Sequence, residues 1–264
     1  MENLEDQGAH DDAPPATPAA TVVVFRRDAS GGPAQLLMVE RSGNMAFAGG
    51  ATVFPGGKVD PADYELAHLV EDGREHDDVA GRIAAIRETL EETGLAIGMT
   101  GNVDSVRAVE ARKLLLETGR LADVLAAFEW RLDLDALVPF ARWLPQHRNM
   151  RVFDTRFYLA DLGTGLVDVV VDATENRHLF WSGAAEVLRL ADDGSIKIIF
   201  PTRRNLERLA QFDDFASARA HALATPIVTV TPRIELRDGQ QWLAIPRDAG
   251  YPVDGEALVS AART

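Results

Sequence analysis

The sequence predicts an α+β fold, read either as α+β proper or as a three-layer α/β/α sandwich. Three observations carry that reading. Short β-branched runs recur along the chain, amphipathic helical stretches stand between them without strict alternation, and 46% of the residues are apolar, enough for a buried core. The first strands are TVVVFRR (21–27) and AQLLMVER (34–41), joined across Ser30-Gly31-Gly32-Pro33, which has the chemistry of a hairpin turn. The glycine-rich run GGATVFPGGKVD (49–60) follows, then a polar, weakly patterned stretch over 64–76 that reads as an inserted loop. A helix is expected from Asp77 or Asp78 to Gly94, where a left-handed C-terminal residue lets Leu95 fold back.

From 103 to 129 the period is helical, through Leu114, Leu115, Leu121, Val124, Leu125 and Phe128, with a break at Glu117-Thr118-Gly119. Strands are expected at 153–162, 166–172, 178–181 and 195–200, and helices over 183–190 and 204–224. The stretch 226–246 reads as a hairpin turned at Asp238-Gly239. Residues 1–20 hold five acids, three prolines and no base, and read as a disordered acidic tail, which leaves 21–264 as one domain with inserts at 64–76 and 103–129.

With 27 basic and 41 acidic side chains the net charge is −14, which argues against a general nucleic-acid binder or a peripheral protein of anionic membranes. No stretch approaches the ~20 apolar residues of a membrane span. The absence of cysteine excludes disulfides, zinc–thiolate sites and a thiol nucleophile, and the N-terminus lacks the order of a signal peptide; a cytoplasmic protein is expected.

The most informative segment is IAAIRETLEETGL (83–95). Advancing ~100° per residue from Ile83, the side chains of Val79, Ile86 and Leu90 fall within ~60° and form a buried stripe. Glu91, Glu88 and Glu92 fall at about 80°, 140° and 180°, on one flank. Like charges at i,i+3 and i,i+4 repel, and the helix C-terminus adds its own negative end. A divalent cation would convert that repulsion into coordination, and hard oxygen ligands suit Mg2+ or Mn2+. A solvated acidic face is the alternative.

Pro55-Gly56-Gly57 followed by Arg87-Glu88-Thr89-Leu90-Glu91-Glu92-Thr93-Gly94-Leu95 resembles the Nudix box, Gly-x5-Glu-x7-Arg-Glu-U-x-Glu-Glu-x-Gly-U, where U is aliphatic. Thr89 stands at the first aliphatic position. Asp63 stands at the first glutamate, and twenty-three residues separate it from Arg87 where the pattern has seven. Gly73 also has the regular spacing to Arg87, but Val79 then occupies the glutamate position, so the Gly57–Asp63 register is preferred. The insert within the box, the helical stretch 103–129, LVPFARWLP (137–145), FDTRFYLA (153–160) and FPTRRNLERLAQF (200–212) are similar to the long-insert, coenzyme A diphosphatase-like branch of that family.

The resemblance implies a Nudix-type α/β/α sandwich with a mixed sheet and an inserted helical segment, and a Mg2+- or Mn2+-dependent hydrolase of nucleoside diphosphate derivatives. Coenzyme A or an acyl-CoA is the leading substrate; ADP-ribose, NADH, or a non-catalytic nucleotide-binding regulator are the alternatives. It implies Glu88, Glu91 and Glu92 as metal ligands, with the Gly57 carbonyl as a fourth contact. Glu88 is the candidate general base, Arg87 the residue that orients a glutamate, Glu91 a further catalytic candidate, and Glu175 a candidate extra carboxylate from a distant loop. Family members often dimerise, so a homodimer is admitted.

The substrate's phosphates need cations. Residues 140–153 contain Arg142, Arg148 and Arg151 and no acid; Arg156 extends the island and Arg203-Arg204 form another. Arginine forks suit phosphate, which makes Arg142 and Arg156 substrate-binding candidates, with Arg41 beside the glycine-rich run; for each, a surface ion pair is the alternative. Phe47, Trp143 and Tyr158 are candidates for stacking an adenine, against the commoner fate of a core aromatic.

Overall fold

A computed structural model describes residues 16–27, 31–43, 48–70, 73–145, 152–163 and 176–261. The tail up to residue 15, the strand expected at 166–172, Phe47, Arg148, Arg151 and Glu175 lie outside the described residues. The chain runs through β1 (Thr17–Arg26), β2 (Gln35–Arg41), β3 (Thr52–Val53), β4 (Gly56–Lys58), α1 (Pro61–Ala67) and α2 (His76–Thr93). It continues with β5 (Met99–Thr100), α3 (Ser105–Thr118), α4 (Leu121–Phe128), β6 (Arg131–Leu132), a 3-10 turn (Leu134–Ala136), β7 (Val138–Trp143), β8 (Phe153–Asp161) and β9 (Asn176–Ser182). Helices α5 (Ala184–Asp192), α6 (Phe200–Leu209) and α7 (Phe215–Ala224) follow, then β10 (Thr229–Val230), β11 (Arg233–Arg237), β12 (Gln240–Ala244), β13 (Gly255–Ala257) and α8 (Leu258–Ala261).

The main sheet runs β10-β7-β8-β1-β2-β3, with β4 on β1 and β9 on β2. It is mixed, since β1 lies parallel to β8 and β10 parallel to β7 while the other pairs are antiparallel. Both faces of its centre are covered, which is why VVVF reads as an unbroken apolar run. Val22, Val24, Leu37 and Val39 face a core shared with α1 to α4, and Val23, Phe25, Leu36 and Met38 face a second core under α5 to α7. This is the α/β/α sandwich.

Helix α2 crosses the strands rather than following them. Gly81 lies against Arg156 of β8, Gly57 of β4 lies against Glu88, and Ala20 of β1 is paired with both Gly57 and Arg156. Small residues Ala80, Gly81, Ala84 and Ala85 are buried and let the helix approach the sheet closely. Arg82 ties it down, donating to Asp78 at 2.7 Å and to the carbonyls of Leu134 and Leu137. The expected end holds: Gly94 adopts φ 77° and donates to the Leu90 carbonyl. The helix itself begins earlier than expected, with Glu75 as its N-cap, two residues ahead of Asp77.

Several boundaries depart from expectation. The sheet begins at Thr17, four residues inside the segment read as tail, because 17–20 pair with β8 and β4. The start of the 64–76 stretch is helical: Pro61 follows Asp60 at the helix start, and a reciprocal capping box joins Asp60 to Asp63. SIKIIF is not a strand. Its apolar residues Ile198 and Phe200 are buried, but Pro201 in the first turn starts α6 instead. The helical stretch at 204–224 is two helices, the second capped by Asp214, whose side chain accepts from the Ser217 amide. The break at Gly119 and the hairpin turn at Asp238 (φ 50°) and Gly239 (φ 79°) are as expected.

Candidate active site

The site is organised around one buried guanidinium. Arg87, 3% exposed, donates from Nε to Asp63 Oδ1 at 3.0 Å and from Nη2 to Asp63 Oδ2 at 2.9 Å. Its Nη2 also reaches the Lys58 carbonyl at 2.9 Å, while Nη1 is shared between Glu88 at 3.0 Å and Glu91 at 3.2 Å. Arg87 thus fastens the glycine turn and α1 to α2. Burial alone would lower its pKa, but Asp63 and the two glutamates more than offset this and the pKa is raised.

This settles the register of the split motif. Asp63, 1% exposed, receives the Arg87 fork and the Asp60 amide at 2.8 Å, so the extra residues loop out as the rest of α1, its connection and the first turns of α2. Gly73 stands in open space and Val79 is a core residue. Thr89, buried at the aliphatic position of the motif, satisfies its hydroxyl on the Ala85 carbonyl at 2.7 Å.

The three glutamates share a flank but have different partners. Glu92 is 5% exposed and accepts the Gly56 amide at 3.0 Å. Glu88 sits directly on Gly57, where a Cβ would overlap its carboxylate; only glycine permits this approach. Gly56 has φ 153°, and a Cβ there would collide with the backbone of Ala20 and Thr21. Burial raises the Glu88 pKa to about 8, with Arg87 opposing the shift and Glu92 and Glu91 adding to it. Burial also raises Glu91, again against the pull of Arg87.

These donors suit a hard divalent ion. All three are carboxylates, they flank a glycine turn, and their mutual repulsion is incompletely neutralised by one arginine. Among the described residues no three Asp, Glu or His side chains already converge as a metal-holding group. Two of the glutamates are turned onto Arg87 and the third onto Gly56, so gathering an ion requires side-chain rotation about a fixed backbone.

The basic candidates divide. Arg156 shares the α2-facing strip with Gly57 but stands two strands away, its stem beside Gly81, about two helical turns from Glu88. Arg142 lies one strand further out and is held by Asp154 through Nε at 2.8 Å, so its segment gains from the next strand the acid it lacks in sequence. Arg41 ends β2 at a bulge, next to the glycine-rich run, and its Nε is buried without a hydrogen-bond partner among the described residues. Arg204 is a buried structural cation bound to Glu207 and Glu256, and Arg203 pairs with Asp192. Trp143 and Tyr158 are each 1% exposed and belong to the two cores, which removes them as stacking platforms. Arg112 of α3, which contacts the end of α2, escaped the sequence reading because its spacing to that helix has no pattern.

Comparison with known proteins gives the class to which this fold belongs. The NUDIX domain profile matches residues 15–156, more than half of the chain. An acyl-coenzyme A diphosphatase, NUDT19 of Gallus gallus, is 27% identical over 83% of this chain and 73% of its own length. The crystal structure of a NUDIX hydrolase from Alicyclobacillus acidocaldarius superposes with a TM-score of 0.67 at 28% identity, covering 78% of this chain and 96% of that one. A C. elegans Ap4A hydrolase complex matches 68% of this chain and 89% of its own at 17% identity and TM-score 0.37, too distant to bear on function. The chain belongs to the Nudix family, and it is an enzyme of that family's diphosphatase class.

Proposed function

We propose that this enzyme hydrolyses, with Mg2+ or Mn2+, the diphosphate bond of a nucleoside diphosphate derivative, and that coenzyme A or an acyl-CoA is its substrate. The observation that carries the chemistry is the carboxylate flank of α2 seated against Gly56-Gly57 and organised by Arg87. The substrate class rests on the similarity to the avian acyl-CoA diphosphatase, which extends well beyond the profile match.

Glu88, Glu91 and Glu92 would hold the ion, with the Gly57 carbonyl as a fourth contact. When bound, the ion supplies Lewis acidity to the diphosphate oxygens and lowers the pKa of the attacking water. Glu88 would be the general base in this reading: burial keeps a proton on it near neutrality in the metal-free fold, and a bound ion would displace that proton and free the carboxylate. Arg87 orients Glu88 and Glu91 through its Nη1. Arg41 would meet a phosphate near the glycine-rich run, Arg156 and Arg142, the latter from its pair with Asp154, would serve the more distant phosphates, and Glu175 would add a further carboxylate. The compartment proposed is the cytoplasm, and a homodimer is compatible with the family.

The test is incubation with coenzyme A, an acyl-CoA, ADP-ribose and NADH in Mg2+ or Mn2+, with products identified by mass. A 3′-phosphoadenosine nucleotide from coenzyme A is expected. Release of 5′-AMP from ADP-ribose or NADH alone would move the substrate assignment, and binding without turnover of any of them would replace the enzyme by a regulator.

A further inference from the structure

One cation of the inserted helices, besides their apolar packing, reaches the backbone at the end of α2. Helix α2 ends at Thr93, so its last carbonyls have no partner within the helix. The Leu90 carbonyl is taken by the Gly94 amide. The next two, those of Glu91 and Glu92, receive Arg112 of α3, from Nε at 2.8 Å and from Nη2 at 3.5 Å. Its stem passes 3.8 Å from the Cβ position of Gly94. Arg112 therefore binds the backbone of two of the three residues whose side chains face the glycine turn.

The electrostatics favour a cation there. The last two turns of α2 carry Glu88, Glu91 and Glu92, the helix end adds partial negative charge, and no basic residue occupies the last turn. Arg87 answers the side chains from one side and Arg112 the carbonyls from the other. The rest of the insert is built to hold that arm in place: Ala111, Leu115, Leu121 and Val124 are buried in the core that also contains Leu90 and Leu95.

We infer that Arg112 is a positioning residue that clamps the C-terminal turn of α2, and that holding this turn in the ion-binding conformation is a function of the 103–129 insert. The inference rests on the metal site proposed above, but its backbone half can be read without any ion. Amide exchange of the metal-free protein reports the clamp directly. In Arg112→Met, Gly94 and Leu95 are expected to exchange at least several-fold faster than in the wild type; unchanged exchange overturns the clamp.

Manganese titration followed by electron paramagnetic resonance, with no substrate, reads the second half. Arg112→Met should weaken Mn2+ binding roughly tenfold, the scale of one charge-assisted hydrogen bond, and Arg112→Lys should recover part of it. Arg107→Met is the control, because Arg107 donates to the Phe128 carbonyl and lies over the Phe128 ring, both inside the insert. Equal loss in Arg107→Met and Arg112→Met would mean that the insert only needs to be folded, and would overturn the inference. If the wild type binds no Mn2+, the metal reading fails, while the exchange result still decides the clamp.

Discussion

Each face of the sheet carries a helix with buried arginines, and they are put to different ends. On α2, Arg87 is surrounded by carboxylates, two of which keep 15% and 21% of their side chains exposed. On α6, Arg208 is 1% exposed, donates to the Phe140 carbonyl at 3.0 Å and to His221 at 3.0 Å, and lies over the rings of Phe140 and Tyr251. Arg204 is likewise enclosed by Glu207, Glu256 and the Gly255 carbonyl. The α6 cations fasten the C-terminal strands to the core, whereas the α2 cation gathers Asp63, Glu88 and Glu91 beside the glycine turn. What sets Arg87 apart is thus the gathering of three carboxylates beside a glycine turn, since the Arg204 partners Glu207 and Glu256 are as exposed, at 18% and 16%, as Glu88 and Glu91.

The largest effect that would sharpen this contrast is on turnover. Glu88→Gln should lower metal-dependent hydrolysis by about 10³-fold, the usual scale for a general base, with little change in melting temperature. A melting temperature that collapsed with activity would assign Glu88 to the same structural class as Arg208.

Next come the two arginine networks. Asp63→Ala leaves the Arg87 guanidinium partly unpaired in a buried setting and should cost about 3 kcal/mol in denaturant unfolding. It should also lower turnover, since Glu88 and Glu91 lose their aligned partner. Arg208→Ala should cost a similar ~3 kcal/mol, through lost hydrogen bonds and packing, yet leave the rate per folded molecule unaltered. Equal activity losses in the two variants would erase the distinction.

Gly57→Ala should act between these extremes, because its Cβ displaces the Glu88 carboxylate without removing it. A roughly tenfold rise in the Mn2+ dissociation constant is expected by calorimetry, on the scale of a misplaced hard-oxygen ligand.

The smallest effect is on pH dependence. In the metal-free fold the Glu88 pKa is about 8, against 4.5 for an ordinary glutamate, so the unfolded chain gives up this proton first. Glu88 therefore makes the metal-free protein less stable as pH rises from 4.5 to about 8. An ion must displace the proton, so the thermal stabilisation given by Mn2+ should grow between about pH 6 and 8.5 and then level off. A pH-independent gain would separate ion binding from Glu88.

The arrangement of helix and turn was readable because its signals are local. RETLEETGL has a helical period and a glycine stop, and PGG has turn chemistry. The sandwich was readable from the doubly buried strand VVVF and the helical runs around it. What escaped depends on pairing across distance. Arg142 lacks an acid near it in sequence but meets Asp154 on the next strand, and Arg204 looks like a phosphate ligand until Glu256 closes over it. SIKIIF satisfies a strand pattern because a buried coil and a helix start need the same apolar residues. The helix α1, by contrast, had its signal in plain view, an Asp-Pro start with Asp63 three residues after Asp60.

The most direct measurement is anomalous diffraction from crystals soaked in Mn2+. Density is expected between the Glu88–Glu91–Glu92 flank of α2 and the Gly56-Gly57 turn, with the glutamates rotated away from Arg87 and the Gly56 amide. Manganese bound only elsewhere, with those side chains still on Arg87 and Gly56, would contradict the site on which the proposed chemistry depends.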